Sequence, residues 1–147
     1  MADAEGTTAD RRDQSPSGQI SNRMVRLFRE YTGRGPTQAR TFIHGDVVLC
    51  VMKDTLTKGE RALAERGQEK EVLRLRHTYQ ATMSDDASAA VEQVTGRRVA
   101  SFMSDNATSP DVAAEIFLLE PAAAPASEDA LSSSEPLELG KARVRAA

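Results

Sequence analysis

Four arginines stand at the points where predicted helices give way to predicted strands, and arginine is well suited to binding anions. Its planar guanidinium group presents a fork of N–H donors that fits a carboxylate, a bicarbonate or a phosphate. The four are Arg34, Arg40, Arg97 and Arg98. If the two junctions lie side by side, these residues would form one anion site or a docking patch for a partner. The alternative is that they make ordinary surface ion pairs, which are common and contribute little to stability.

Histidine and cysteine offer little further chemistry. His44 and Asp46 share the turn-like stretch IHGD and could form an acid–base pair, although a solvated turn histidine is the simpler interpretation. His77, the other histidine, is expected to pack beside the apolar stripe of a predicted helix. Cys50 is the single cysteine and lies in the apolar run VVLCVM, so the thiol is expected to be buried without a disulfide. We therefore assign no catalytic residue, no cofactor and no metal ligand.

The stretch SDNATSPD gathers oxygen atoms that a hard cation such as calcium or magnesium could use. Its spacing matches no calcium-binding loop, and Asp, Asn and Pro are also the residues that turns require. We therefore expect Asp105, Asn106 and Asp111 to lie in a structural loop. The stretch TGRGPT likewise lacks the Gly-Lys-Ser/Thr ending of a phosphate-binding loop, so nucleotide hydrolysis is not predicted.

The composition limits the classes of protein that the chain can represent. Its 147 residues suit one ordinary domain, and a formal net charge of −3 disfavours nucleic acid as a partner. No apolar stretch approaches the roughly 20 residues that span a bilayer, so direct membrane spanning is not expected. The N-terminal sequence lacks the apolar segment of a signal peptide, and a single free cysteine fits a reducing compartment. Together these features predict a soluble cytoplasmic protein.

Both ends of the chain differ in composition from the middle. Residues 1–18 and 122–147 are rich in small, polar and charged residues and have no apolar periodicity that could drive packing. We predict a disordered N-terminal arm, a single folded domain over residues 19–121 and a disordered C-terminal tail. Between Gly18 and Pro121 there are 14 basic and 14 acidic residues, so the whole net charge resides in the tails.

The first predicted helix lies in QISNRMVRLFREYTG, where apolar residues recur with helical spacing. They are Ile20, Met24, Leu27, Phe28 and Tyr31. Ser21 or Asn22 is expected to cap its start, and Gly33 its end, because helices commonly finish on a left-handed glycine. The segments ARTFI and VVLCVMKD then flank the turn HGD and predict a β-hairpin. Its second strand is apolar on both faces and is therefore expected in the interior of a sheet.

The second half of the chain begins with a helix signal. Thr57 and Glu60 have the spacing of a capping box, and Gly67 is expected to interrupt the helix that they start. Beyond Gly67 a helical stripe continues for about seven turns and ends at Gly96. Its residues are Val72, Leu75, Tyr79, Met83, Ala87, Val91 and Val94. The segments RRVASFM and VAAEIFLLE then flank SDNATSPD and predict a second hairpin.

The tripeptide Thr-Gly-Arg ends both predicted helices, so each copy closes a helix and leads into a hairpin. The order of elements predicts an α+β domain. Its four-stranded, mostly antiparallel sheet is built from two hairpins and packs against an N-terminal helix and a long central helix. The shared order permits an internal pseudo-repeat of helix and hairpin, although glycine follows helices so often that the tripeptide could recur by chance.

Several of these segments together carry a family resemblance. They are SNRMVRLFREYTGRGPTQARTFI, DTLTKGERALAERG, VTGRR, FMSDN and PDVAAEIFLLEP. The stretch from Ser21 to Pro121 resembles the MpsC family, named for a component of a Na⁺-translocating, membrane-potential-generating system. The resemblance implies association with a membrane system that handles sodium, protons or bicarbonate, in which this chain is similar to the soluble accessory component. It implies no catalytic residues.

From the residues and the resemblance we expect a non-enzymatic accessory or regulatory protein. It is expected to lie in the cytoplasm, peripheral to the inner membrane through a partner, and to dock on a membrane transport complex. Self-association as a homo-oligomer is expected through a sheet edge or the long helix. The alternative function is a small-anion sensor that uses the junction arginines.

Overall fold

The computed structural model describes residues 14–122, which contain three helices and four strands. In chain order these are α1 (Pro16–Thr32), β1 (Gln38–His44), β2 (Val47–Lys53), α2 (Lys58–Glu65), α3 (Glu69–Thr95), β3 (Val99–Thr108) and β4 (Asp111–Leu119). The predicted α+β class is confirmed. The disorder predicted for both ends of the chain concerns residues that lie almost entirely outside the described range.

The four strands form one antiparallel sheet in the order β1-β2-β4-β3. Each hairpin pairs its own two strands, and β2 and β4 join the hairpins at the centre of the sheet. The interior position predicted for the second strand is therefore confirmed. The element order helix, glycine, strand, strand also occurs twice, and the two units meet through the pairing of β2 with β4.

Helix α1 begins earlier than the sequence indicated. Ser15 is the N-cap, its side chain accepts a hydrogen bond from the Gly18 backbone N–H at 3.0 Å, and Pro16 occupies the first turn. The prediction of a cap at Ser21 or Asn22 was therefore wrong, and residues 16–18 belong to the helix and not to the arm. Ser21 instead hydrogen-bonds Thr41 of β1 at 2.8 Å, which ties the helix to the edge of the sheet.

Both Thr-Gly-Arg copies end a helix, as predicted. Gly33 and Gly96 adopt the left-handed conformation with φ of 80° and 69°, and their N–H groups donate back into the preceding helix. The preceding threonines also match, because the hydroxyl groups of Thr32 and Thr95 each donate to the carbonyl four residues earlier. The tripeptide therefore recurs with the same local structure, which is what an internal pseudo-repeat requires.

Replacing Gly96 with alanine is expected to destabilise the fold by about 1–2 kcal/mol, because an L-residue is strained in the left-handed region. No atom lies within 4 Å of the position a Cβ would take, so this cost comes from the backbone alone. Gly59→Ala is the matched control, since Gly59 lies inside α2 with equally open surroundings. It is expected to stabilise the fold by about 0.5–1 kcal/mol. Urea denaturation of both variants measures the difference, and a shift of the same sign in both would contradict the assignment.

Helix α2 begins at the predicted capping box, and the break between α2 and α3 lies at the predicted glycine. Thr57 and Glu60 form the capping box with hydrogen bonds of 2.9 and 3.2 Å, and Gly67, with φ of 80°, separates the two helices. The stripe predicted for α3 is confirmed at Val72 and in the second half of the helix, but not at Leu75. Leu75 is 42 % exposed, and the next buried positions after Val72 are the polar residues Arg76 and Gln80. Burial of these two side chains is possible because they form hydrogen bonds with polar groups of the sheet and of α2, as described below.

Strand β3 is longer than predicted, because the polar stretch SDNAT belongs to the strand and not to a loop. Only Ser109 and Pro110 connect β3 to β4. The loop prediction failed because β3 is an edge strand. Its polar side chains alternate between the helix-covered face of the sheet and the solvent-exposed face. Asn106 points inward and bonds Gln80, whereas Asp105 is exposed on the opposite face.

Helices α1 and α3 pack side by side on one face of the sheet and form the apolar core with it. The buried core residues of α1 and α3 are Ile20, Met24, Leu27, Phe28, Met83, Ala87, Ala90 and Val91. Those of the sheet are Val48, Cys50, Met52, Ala113, Phe117 and Leu119. Phe102 of the edge strand contacts Phe117 with ring centroids 5.0 Å apart. The core therefore lies entirely on one side of the sheet.

Candidate functional site

The second face of the sheet has no helix against it within residues 14–122, and we call this surface the open face. Cross-strand register sorts its residues into rows. The apolar row consists of Phe42, Leu49, Ile116 and Met103. The adjacent row consists of Arg40, Val51, Ala114 and Asp105. None of these side chains takes part in the core cluster on the helix side.

The open face is apolar where a solvent-facing sheet is normally polar. Phe42 and Met103 are 49 % and 47 % exposed at the two edges, and Val47 and Leu118 are also large exposed apolar side chains of this face. Strands β2 and β4 both carry apolar residues on both faces. In β2 this pattern predicted an interior strand, but it did not indicate which face stays uncovered. Contiguous apolar surface of this kind marks a site of interaction with another molecule.

Charge on the open face is divided between its two halves. Arg40 lies on edge strand β1 with its guanidinium carbon 5.6 Å from the centre of the Phe42 ring. Lys53 is on the same face of β2 in the neighbouring row. Asp105 is exposed on the opposite edge strand, β3. The β1–β2 half is therefore basic and the β4–β3 half is acidic.

The four junction arginines do not form one site. Arg34 lies near the end of the sheet where Gln38 pairs with Lys53, and Arg97 near the end where His44 pairs with Val47. Strands of seven residues separate these ends by about 20 Å. Arg40 points to the open face, and Arg98 is exposed with its carbonyl bonded to the Glu120 N–H. The two junctions do not lie side by side, because antiparallel pairing of β2 with β4 places them at opposite ends of the sheet.

Arg34 and Arg97 instead form hydrogen bonds with neighbouring segments of their own chain. Arg34 donates to the carbonyls of Asp54 and Leu56 at 2.9 and 2.7 Å and to the Asp54 carboxylate at 2.7 Å. Hydrogen bonds from Arg34 and Arg61 hold the pKa of Asp54 below its ordinary value. Arg97 donates to the carbonyls of Gly45 and Glu120 and to the Asp46 carboxylate. These donors are therefore largely occupied by the chain itself.

A buried ion pair that the sequence did not reveal joins α2, α3 and the end of β2. Arg76 is fully buried and donates to both carboxylate oxygens of Glu60 at 2.7 and 2.9 Å. It also donates to the carbonyl of Thr55, whose hydroxyl group donates to Asp111. Burial opposes ionisation, but hydrogen bonds from Arg76 and Thr57 hold the pKa of Glu60 below its ordinary value. The sequence did contain one signal for burial of Arg76: it follows Val72 by four residues and therefore lies on the same, buried side of α3.

A second buried polar group lies between α3 and the sheet. Gln80 donates to one carboxyl oxygen of Glu115 at 2.8 Å and accepts from the Asn106 amide at 2.6 Å. The other carboxyl oxygen of Glu115 is buried without a hydrogen-bond partner. Burial raises the pKa of Glu115 to about 8, although Gln80 and Arg76 act in the opposite direction. The neighbouring Cys50 thiol has its pKa raised to about 11, chiefly by burial.

The remaining candidates for chemistry are dispersed. Asp46 binds Arg97 and not His44, and His77 is exposed on α3. Asp111 accepts hydrogen bonds from Thr55 and from the Leu56 N–H, on the side away from Asp105. Within residues 14–122, no three His, Cys, Asp or Glu side chains lie close enough to hold a metal ion.

Comparison with known proteins identifies a family. A model described as "Na+-translocating membrane potential-generating system (MpsC)" matches residues 14–121. No curated protein and no solved structure matches the chain. Among the described helices, none combines the length and apolar character needed to cross a bilayer. Because the family model covers nearly the whole described range, the chain belongs to the MpsC family.

Proposed function

We propose that this protein is a non-enzymatic accessory component of a membrane system for Na⁺ translocation and membrane potential, and that it acts by binding other proteins. The observation that carries the proposal is the open face, an apolar sheet surface with no internal partner among residues 14–122. The family description supplies the membrane system. On this proposal the protein is soluble, cytoplasmic and held at the inner membrane by its partner.

The use of the polar residues supports a binding role. Arg34, Arg97 and Arg76 all donate to carboxylates and carbonyls of their own chain, so they stabilise the fold. The acidic residues are used in the same way, since Glu60 accepts hydrogen bonds from Arg76 and Asp111 accepts one from the Thr55 hydroxyl group. The apolar side chains of the open face contribute to no such contact, and they lower the free energy of the molecule only when another surface covers them. Assembly, including self-association, is the function that this geometry favours.

The proposal is tested by recovering partners from the cell that makes the protein. The tagged chain is crosslinked in intact cells, the membranes are solubilised, and the proteins bound to the tag are identified by mass spectrometry. We expect integral membrane proteins of an ion-transport system. The variant Phe42→Lys, on the open face, is expected to reduce their recovery several-fold.

The matched control for this experiment is Leu75→Lys. Leu75 is 42 % exposed, comparable to Phe42 at 49 %, but it lies on α3, away from the open face. The control is expected to recover the same membrane proteins as the original chain. Failure of the original chain to recover any membrane protein would contradict the proposed function, and equal recovery with both variants would contradict the role of the open face.

A further inference from the structure

We propose that the open face is covered by a second copy of this chain, sheet against sheet. The two-fold axis of this dimer lies between the two sheets and runs along the strands, midway between β2 and β4. This inference specifies the self-association within the proposed function, but it does not depend on the identity of any membrane partner. Three features of the open face lead to it: its apolar rows, its area and the division of its charges.

The apolar row matches itself under this arrangement. Rotation about an axis along the strands places β4 of the second copy over β2, and β3 of the second copy over β1. Phe42 then meets Met103 of the second copy, and Leu49 meets Ile116 of the second copy. Each contact occurs twice, as a two-fold interface requires. Facing sheets in proteins keep their strands within about 30° of each other, which leaves these rows opposite one another.

The area of the face is sufficient. Four strands about 4.8 Å apart and about 23 Å long present roughly 450 Å² in projection, and side-chain relief increases that area. Two such faces together reach about 1,000 Å², which is the lower limit for a specific protein interface. A short segment of chain would cover only part of this width, whereas a second sheet covers all of it.

The charges select both the partner and the axis. The axis along the strands places the basic β1–β2 half of one copy over the acidic β4–β3 half of the other. Arg40 then faces Asp105 of the second copy, because both belong to the same cross-strand row. An axis perpendicular to the strands would instead place β1 over β1 and bring two basic edges together. The observed division of charge therefore favours the first arrangement.

Charge exchange in the full chain tests this arrangement. Within one copy, Arg40 and Asp105 are about three strand spacings apart, about 14 Å, so they cannot pair with each other. Arg40→Asp and Asp105→Arg are each expected to raise the dimer dissociation constant about tenfold or more, because each turns two attractive contacts into repulsive ones. The double variant, with both exchanges in each copy, is expected to restore the dissociation constant to within about threefold of the original.

The control exchange uses Glu71 and Arg74, an exposed pair on α3 with oxygen and nitrogen 3.9 Å apart. Exchanging these two charges is expected to leave the dissociation constant unchanged. Dissociation constants are measured by analytical ultracentrifugation from low to high micromolar concentration, and circular dichroism checks that every variant is folded. Restoration by the double variant supports the proposed dimer.

A second variant tests the apolar part of the face without relying on charge. Leu49→Lys places a cation beside the axis, where it would be buried without a partner against the apolar Ile116 of the second copy, and is expected to give a folded monomer. Leu75→Lys on α3 is expected to remain dimeric. The proposal is overturned if the full chain is monomeric at all these concentrations, whether or not crosslinking then joins the open face to residues 123–147. It is also overturned if the double charge exchange is no tighter than the single ones.

Discussion

Arg76→Ala is expected to reduce the free energy of unfolding by about 3–5 kcal/mol, since removal of one member of a buried ion pair leaves the other charged and unpaired. The two members have side chains 0 % and 7 % exposed, so solvent cannot replace the lost hydrogen bonds at Glu60. The carbonyl of Thr55 also loses its donor. The loss is comparable to the total stability of a marginal domain, so partial unfolding at ordinary temperature is an expected result.

The matched control is Arg74→Ala on the same helix. Arg74 is 78 % exposed and lies 3.9 Å from Glu71, so its removal is expected to change the free energy of unfolding by less than about 0.5 kcal/mol. Chemical denaturation at one fixed protein concentration compares the two variants, because self-association would make stability depend on concentration. A cost for Arg76→Ala as small as that of the control would show that the buried pair contributes nothing.

A double variant separates the ion pair from the space that it fills. Arg76→Met retains an unbranched side chain of similar length, and Glu60→Gln preserves an acceptor for the Thr57 N–H. The combined variant is expected to be more stable than Arg76→Met alone, because no carboxylate is then left unpaired. Equal or lower stability of the combined variant would indicate that Glu60 stays ionised and solvated without Arg76.

The local signals in the sequence predicted most of the fold. Capping boxes and left-handed glycines depend on nearby residues, so the ends of α1 and α3 and the start of α2 were readable at Gly33, Gly96 and Thr57. The hairpins followed from short apolar segments and were placed correctly. The start of α1 was not, because Ser15 and Pro16 stand in a stretch whose composition otherwise resembles a disordered arm.

Features that depend on tertiary pairing were not readable. The stripe of α3 was assigned to Leu75 and Tyr79 because helical periodicity counts apolar residues, whereas burial of Arg76 requires a carboxylate from α2. The polar half of β3 was assigned to a loop because its inward residue, Asn106, is satisfied only by Gln80 of another element. Long-range partners of this kind have no fixed spacing in the sequence.

The sequence predicted the apolar strand at the centre of the candidate site but not the site itself, because self-association was expected through a sheet edge or the long helix. Apolar residues on both faces of β2 were recognised, but only the packing of α1 and α3 on one side defines which face stays open. The arginines were recognised as unusual, but the order β1-β2-β4-β3 separates Arg34 from Arg97. Arg40 lies on the open face, and Asp105, its proposed counterpart in the second copy, was assigned to a loop.

Glu115→Gln is expected to remove most of the decline in stability between about pH 4.5 and pH 8. In the folded chain, burial raises the pKa of Glu115 to about 8, whereas in the unfolded chain the group ionises near its ordinary value of 4.5. The folded state therefore binds one more proton in this interval. The stability due to this proton is fully present below about pH 4.5 and is lost as the pH rises to about 8. A single proton gives a slope of at most about 1.4 kcal/mol per pH unit.

The comparison between variants isolates Glu115 from other titrating groups. The free energy of unfolding is measured by urea denaturation at several pH values for the original chain, for Glu115→Gln and for Glu71→Gln. The last variant removes the same charge from a side chain that is 58 % exposed, and it is expected to keep the original slope. Glu115→Gln is expected to match the original chain near pH 5 and to exceed its stability by several kcal/mol at pH 8. Parallel curves for all three proteins would show that Glu115 ionises normally.

The buried Arg76–Glu60 ion pair and the buried Glu115 are coupled electrostatically. This coupling adds a second prediction to the pH experiment. The positive charge of Arg76 lowers the pKa of Glu115, in opposition to the larger effect of burial. In an Arg76→Met background that opposition is absent, so the decline in stability is expected to continue to a higher pH than in the original chain. Adding Glu115→Gln to the same background is expected to abolish the extension. If the decline ends at the same pH in both backgrounds, Glu60 screens the charge of Arg76 from Glu115. The two buried polar groups along α3 would then be independent.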